Sequence, residues 1–163
     1  MAMGRREDRS GRRTAAMRGF TLVEALAVMA IAAILLTLGV SGMRDLLLSQ
    51  RVKTASFDIF SSLTYARSEA ISRNSTVTIT PTGGNWAGGW SIADSSGTTL
   101  RTQNASTNIT ITGPATVSYN GMGRLNAAVT SFSVSGTGVT GSNLRCISID
   151  LSGRPVVKSE ACS

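Results

Sequence analysis

A long apolar segment that contains a single carboxylate constrains this chain more than any other feature of its sequence. Between Phe20 and about Val40 the only charged residue is Glu24. A segment of this kind is typical of a membrane-spanning helix, which needs about 20 apolar residues. A charge inside such a span costs about 2.5–3.5 kcal/mol even on insertion scales, so an acid found there is expected to be functional. The sequence therefore predicts a membrane helix in which Glu24 requires a partner.

A basic segment precedes the apolar one. Six arginines lie before Phe20 and outnumber the two acids there, Glu7 and Asp8. Positively charged flanks stay in the cytoplasm, so the C-terminal side of the span is expected to face outward. If the chain were cut after Gly19, the new amino group of Phe20 would neutralise Glu24 of a neighbouring copy in a medium of low dielectric. The alternative is an ordinary signal anchor, although a secretory signal has a shorter apolar core and a small-residue cleavage site.

The residues from Gly19 to Glu24 read Gly-Phe-Thr-Leu-Val-Glu. This run resembles the N-terminal motif of type IV pilins and pseudopilins and matches it without departure. The resemblance implies that a prepilin peptidase cuts between Gly19 and Phe20, that Phe20 is then N-methylated, and that Glu24 docks the subunit into a growing filament. It further implies a single-pass protein of the inner membrane with a periplasmic C-terminal domain, which joins other pilins or pseudopilins in a pilus at the cell surface.

Length and charge bound what the rest of the chain can build. We expect residues 1–19 to be a cleaved leader, 20–43 the span, 44–74 an amphipathic continuation of the helix and 75–163 a single β-sheet domain. The formal net charge of +7 lies mostly in the leader, because ten basic and seven acidic residues remain after it, a net charge of +3. The high overall charge is therefore a targeting feature and does not by itself indicate nucleic acid binding.

The pattern beyond the apolar segment remains helical as far as about Arg73. Apolar residues recur at spacings of three and four, which predicts one buried stripe along a helix. Charged residues occupy the other face and are expected to face solvent. The stripe consists of Leu48, Val52, Ala55, Ile59, Leu63, Ala66 and Ala70, and the charged face of Arg51, Lys53, Asp58, Arg67 and Arg73.

After Asn74 the sequence changes to β-branched residues that alternate with polar ones, interrupted by Gly, Asn and Ser. This pattern predicts strands, and their short connections favour antiparallel pairing. A helix followed by a run of strands predicts an α+β fold in which the long N-terminal helix packs on a C-terminal antiparallel β-sheet domain, as in pilins. The predicted strands are 76–80, 90–93, 108–112, 116–119, 131–135 and 145–151, with 156–157 as a short returning partner.

The segment from Gly84 to Asp94 contains two tryptophans, Trp86 and Trp90, beside Gly88 and Gly89. It resembles the signature of the subfamily that contains FimT, FimU and the H-type minor pseudopilins of type II secretion. The tryptophans are expected to pack at one end of the sheet, since isolated tryptophans usually serve packing. An exposed aromatic platform that stacks nucleic acid bases is the alternative.

Two cysteines, Cys146 and Cys162, lie beyond the span and therefore on the oxidising side of the membrane, where disulfides persist. A disulfide between them would stabilise the C-terminal segment by about 3 kcal/mol in the chain-entropy model. Two free thiols and a metal site are the alternatives. The chain has no histidine, so a metal site has little support, no catalytic residues can be proposed, and neither an enzyme nor a bound cofactor is expected.

The C-terminal residues predict a hairpin in which Arg154 stands at an exposed turn between residues 146–151 and 155–158. FimT-type competence pilins are DNA receptors with the motif Gly-Arg-any-Arg. This chain matches its first two members with Gly153 and Arg154 but has Val156 in the final place.

A double-stranded DNA contact would need further basic residues near Arg154. Lys158 is a candidate for the second charge, and Arg145 or Arg124 would extend the patch. A few phosphate contacts give weak, salt-dependent binding by one subunit. The alternative is that Arg154 and Lys158 are solvated turn and edge residues that discourage strand pairing between molecules.

These features together predict a minor type IV pilin of the FimT/FimU kind that assembles into or primes a pilus. The competing interpretation is an H-type minor pseudopilin of a type II secretion system, a structural tip component for protein export.

Overall fold

One long helix, α1, runs from Leu22 to Arg73. The structure is a computed structural model in which residues 19–137 and 144–162 are described, so the predicted leader lies outside the described residues except for Gly19. The chain divides into two compact units, Met1–Gly39 and Val40–Ser163. The described strands are β1 (Val77–Pro81), β2 (Trp90–Asp94), β3 (Thr99–Gln103), β4 (Ile109–Thr112), β5 (Val117–Tyr119), β6 (Phe132–Gly136), β7 (Arg145–Ile149) and β8 (Pro155–Lys158).

Polar groups define both ends of α1. At the start, the backbone N–H of Glu24 donates to Thr21 Oγ1 over 3.3 Å, so Thr21 caps the first turn. At the end, Asn74 adopts a left-handed conformation with φ 45°. The N–H of Ser75 donates to Ala70 O and that of Asn74 to Ile71 O, both over 3.2 Å. These two bonds form a Schellman motif, which satisfies carbonyls that the helix leaves without partners.

The predicted apolar stripe of α1 is buried. Its six residues from Val52 to Ala70 are at most 2% exposed, and Leu48 is half-buried. They belong to one hydrophobic core together with residues from β1, β2, β4, β5, β6 and β7. Burying a Val, Ile or Leu side chain contributes about 1.5–3 kcal/mol, so Val52, Ile59 and Leu63 hold the second half of the helix on the β-domain.

The charged face of the helix differs from its prediction at two positions. Arg51, Lys53 and Arg73 are exposed, whereas Asp58 and Arg67 are half-buried. Asp58 accepts a hydrogen bond from Gln103 Nε2 over 3.3 Å, and burial raises the pKa of its carboxyl while the nearby Arg101 charge opposes this rise. The spacing of charges along a helix cannot show such long-range contacts.

The strands form two antiparallel sheets of four strands each, where the sequence predicts one sheet domain. The first has the order β3-β2-β1-β5 and the second the order β4-β6-β7-β8. Asn108, with φ 60°, precedes β4, which pairs with β6 instead of with its chain neighbour β3. The α+β fold with a long helix packed on antiparallel strands is confirmed, and the division into two sheets is the correction to it.

The predicted strands are observed with boundaries that shift by one or two residues. The exception is β3, which the sequence pattern does not predict. Its residues are exposed or half-buried, because β3 is an edge strand of the first sheet. An edge strand of polar residues lacks the alternation of apolar side chains that marks a strand in a sequence. Among the helices that the described residues form, none is long and apolar enough to cross a membrane.

Candidate functional sites

The N-terminal segment places the predicted processing and assembly residues immediately before α1 and in its first turn. Gly19 and Phe20 precede the helix, and the Phe20 side chain is 75% exposed. Glu24 lies in the first turn, where the positive end of the helix dipole favours a carboxylate. Thr21 and Glu24 also have the spacing of a capping box, so the same two residues that carry the motif contribute to starting the helix.

The first turns of the helix expose large apolar side chains. Every described residue from Gly19 to Leu36 is exposed. A continuous apolar surface of this kind marks contact with a membrane or with another protein. Its large members are Phe20, Leu22, Val23, Leu26, Val28, Met29, Ile31, Ile34, Leu35 and Leu36.

The two tryptophans lie in the core, so the packing interpretation is confirmed. Trp86 is 4% and Trp90 1% exposed. Trp86 packs edge-on against Phe132, with 4.7 Å between ring centroids, and its Nε1 donates to Pro114 O over 2.8 Å. Trp90 Nε1 donates to Ser62 Oγ of α1 over 3.0 Å. Neither ring is available to stack on a base.

The C-terminal hairpin consists of β7, β8 and a tight turn from Asp150 to Arg154. The Asp150 carboxylate accepts bonds from Ser152 Oγ over 2.5 Å and from the Arg154 N–H over 3.1 Å. The Ser152 hydroxyl, and then the Arg154 N–H, lower the pKa of Asp150 below its usual value. Gly153 completes the turn with φ 82°, which a residue with a side chain rarely adopts. The turn therefore holds the Arg154 backbone in one conformation.

The disulfide predicted between Cys146 and Cys162 is present, with 5.1 Å between the two Cα atoms. Cys146 lies in β7, and Cys162 follows the end of β8 by four residues. The cross-link therefore encloses the hairpin from its second residue onward, and it holds the segment that follows β8 on β7.

The four basic residues predicted to contact DNA lie in two separate places. Arg154 is exposed in the hairpin turn, and Lys158, four residues later at the far end of β8, is about 13 Å away along the strand. Lys158 Nζ lies 3.4 Å from Glu160 Oε1. Arg145 also lies at this far end of the hairpin, where its side chain donates to Ser159 Oγ.

Arg124 lies with Arg154 because the turns that carry them touch. A Cβ atom on Gly153 would overlap the carbonyl oxygen of Gly123 and lie 3.0 Å from the ring of Tyr119. The turn from Asn120 to Arg124 is held by Asn120 Oδ1, which accepts from the N–H groups of Met122 and Arg124 over 3.0 and 3.1 Å. The turn from Asn120 to Arg124 and the turn from Asp150 to Arg154 are therefore in contact through Gly123 and Gly153.

Arg67 of α1 contacts the turn from Asn120 to Arg124. It was not among the site residues predicted from the sequence. Its Nε donates to Gly123 O over 2.9 Å. The contact joins residues 56 positions apart, so no local pattern signals it. Beneath the turns, the buried Tyr119 hydroxyl has no hydrogen-bond partner among the described residues, and burial raises its pKa.

No group of three His, Cys, Asp or Glu side chains that could hold a metal ion occurs among residues 19–137 and 144–162.

Comparisons with known proteins match both halves of the chain. The family model described as "Type II transport protein GspH" matches residues 55–153. The model described as "Prokaryotic N-terminal methylation motif" matches residues 15–40. A comparison with curated proteins gives no match.

Two solved structures of the type IV minor pilin FimU from Pseudomonas aeruginosa are similar to the fold. One is 24% identical with a TM-score of 0.59, and the similarity covers 67% of this chain and 89% of that chain. The other is 26% identical with a TM-score of 0.56, covering 65% of this chain and 91% of that chain.

Proposed function

We propose that this chain, which belongs to the GspH family, is a minor pilin that assembles into or primes a type IV pilus. The observation that carries the proposal is the union of two features in one chain. The Gly19–Glu24 motif leads into the first turn of a helix whose later turns bury a stripe against a two-sheet, pilin-like domain. The similarity to FimU minor pilins supports the pilus over other assemblies.

The N-terminal segment supplies the steps that bring the subunit into a filament. A prepilin peptidase removes residues 1–19, and the new Phe20 amino group is methylated. The apolar segment holds the subunit in the inner membrane with its β-domain in the periplasm. Glu24 then neutralises the amino group of a neighbouring pilin during docking, and the exposed apolar surface of residues 20–36 packs among neighbouring helices. After assembly the subunit lies in a pilus at the cell surface.

A DNA contact is the finer part of the proposal. The hairpin turn presents Arg154 on a rigid support, held by Asp150 and by the contact of Gly153 with Gly123. Because the backbone of Arg154 is held, a phosphate contact orders its side chain without also having to order the turn. Several subunits would add to the weak affinity of one.

A second candidate function is that of an H-type minor pseudopilin in a type II secretion system. The description of the matching family as a type II transport protein favours it. In that role the β-domain contacts secreted proteins at the tip of a short filament, and no DNA binding is expected.

The proposal is tested by co-expressing this chain with a prepilin peptidase and with the other pilins of the filament to which it belongs. We expect an intact mass equal to residues 20–163 plus one methyl group, and we expect the chain in pilus fractions sheared from cells. Gly19→Val blocks cleavage and leaves the leader on the protein. Glu24→Ala leaves cleavage intact and removes the chain from the sheared fraction. A processed wild-type chain that never enters surface filaments, but enters filaments of a secretion system, would favour the second candidate.

A further inference from the structure

We propose that Arg67, Arg124 and Arg154 form one phosphate-contacting surface. In this surface, Arg67 of α1 and Arg124 of the turn from Asn120 to Arg124 replace the second arginine of the motif, where this chain has Val156. The inference rests on the proposed DNA contact and specifies its residues. It differs from the linear motif, which pairs Arg154 with position 156, and from a hairpin site in which Lys158 supplies the second charge.

The common support of the three arginines is the pair of turns that meet at Gly123 and Gly153. The Gly123 carbonyl accepts from Arg67 Nε over 2.9 Å, Arg124 is the next residue in the chain, and Gly153 lies directly against that carbonyl. Arg154 follows Gly153. The Gly123 carbonyl therefore accepts from the Arg67 side chain, belongs to the peptide group that precedes Arg124, and lies against the residue before Arg154.

The side chains remain able to bind a ligand. The Arg67 bond uses Nε only, so its two terminal nitrogens have no protein partner among the described residues. Arg124 and Arg154 are exposed, and none of the three is in an ion pair with a described carboxylate. Guanidinium groups match phosphate oxygens in geometry as well as in charge. Three arginines carried by elements that meet at the Gly123 carbonyl suit a polyanion whose phosphates recur every few ångströms.

The two other basic candidates are engaged away from this surface. Lys158 forms its ion pair with Glu160, and Arg145 donates to Ser159. Asp150 shares the hairpin turn with Arg154, but its carboxylate already accepts bonds from the Ser152 hydroxyl and the Arg154 N–H.

The test is the anisotropy of a labelled DNA duplex titrated with the full chain in a nonionic detergent, repeated between 50 and 200 mM salt. With a slope of about 0.9 for each phosphate contact, three contacts predict an affinity loss of about 40-fold over this range. Arg67→Ala, Arg124→Ala or Arg154→Ala each reduces the loss to about 12-fold. Lys53→Ala removes one charge from the exposed helix face and is the matched control, for which we expect no change in the slope.

Two further variants separate the outcomes. Arg67→Lys keeps the charge and should keep most of the salt slope. This result would show that the lower slope of Arg67→Ala comes from the missing charge and not from a disturbed turn. If Lys158→Ala or Arg145→Ala lowers the slope while Arg67→Ala and Arg124→Ala leave it unchanged, DNA binding stands and the composite surface is wrong. An equal decrease in every variant, Lys53→Ala included, also refutes the surface. If the wild type shows no binding at tens of micromolar protein and low salt, the DNA contact itself is refuted.

Discussion

The hydrogen bond from Trp90 Nε1 to Ser62 Oγ connects the first sheet to α1 in the centre of the core. Both residues are buried, with 1% and 2% of their surface exposed, and the bond is 3.0 Å long. Ser62→Ala removes the acceptor and leaves an indole N–H that water cannot reach. An unsatisfied buried donor costs about 1–3 kcal/mol. We therefore expect Ser62→Ala to lower the free energy of unfolding by this amount, although it removes only one oxygen atom.

The reciprocal change has a different physical origin. Trp90→Phe removes the donor, but the Ser62 hydroxyl can turn to a carbonyl one turn earlier in the helix, as Ser56 Oγ does with Val52 O over 2.7 Å. Its cost is that of the cavity left by the smaller ring, since the surrounding core relaxes only in part. Once the donor is absent, removing the acceptor should cost little. The double variant is therefore expected to be less destabilised than the sum of the single variants by about 1 kcal/mol or more.

Urea unfolding of residues 40–163, followed by circular dichroism, measures these differences. Ser68→Ala is the matched control, because Ser68 is an exposed helix serine whose Oγ donates to Thr64 O over 3.0 Å, and its effect should stay within about 0.5 kcal/mol. A Ser62→Ala variant as stable as this control, or strictly additive single changes, would refute the stabilising role of the hydrogen bond between Trp90 and Ser62.

Three further results are expected from the same unfolding measurement. Replacing Cys146 and Cys162 with serine removes the cross-link between residues 16 positions apart and should cost about 3 kcal/mol, with the reduced wild type giving the same loss. Gly153→Ala should lower the free energy of unfolding by more than about 1 kcal/mol, which is roughly the cost of a strained φ alone. Its Cβ would in addition overlap the carbonyl of Gly123. A neutral result would mean that the two turns separate easily. The pKa values of Asp94 and Asp150 lie below their usual 3.8. The contribution of these two carboxylates to the free energy of unfolding is therefore present above pH 3.8 and is lost as the pH falls through and below it. Changing both residues to Asn should flatten this decline in stability on the acid side.

Sequence periodicity predicted the features that depend on local pattern. The stripe from Val52 to Ala70 is buried as its spacing indicates, because a helix that packs on a sheet must present one continuous apolar face. The disulfide and the C-terminal hairpin could also be predicted from the sequence, since both cysteines and the turn residues lie within a short stretch.

The features that escaped prediction depend on contacts between distant residues. The strand β3 is an edge strand with a single apolar residue, Leu100. The division into two sheets depends on pairings such as β1 with β5 across about 40 residues. Arg67 has the sequence context of a solvated helix residue, yet its side chain contacts a turn 56 positions later. The candidate surface around Gly123 therefore becomes visible only once the turns are placed in space.

The shared core also sets the order in which the domain can form. The helix stripe is made first, but the described strands that share its core end only with β7, which contributes Ile147. A chain synthesised from its N-terminus would thus expose the stripe until almost all of the domain is available. Contacts between residues so far apart in sequence form slowly, and uncovered apolar surface promotes aggregation meanwhile. We therefore expect chains that are shortened before β7 to be recovered as aggregates or degraded instead of as folded fragments, because the helix segment from Val52 to Ala70 is fully covered only when β7 is available.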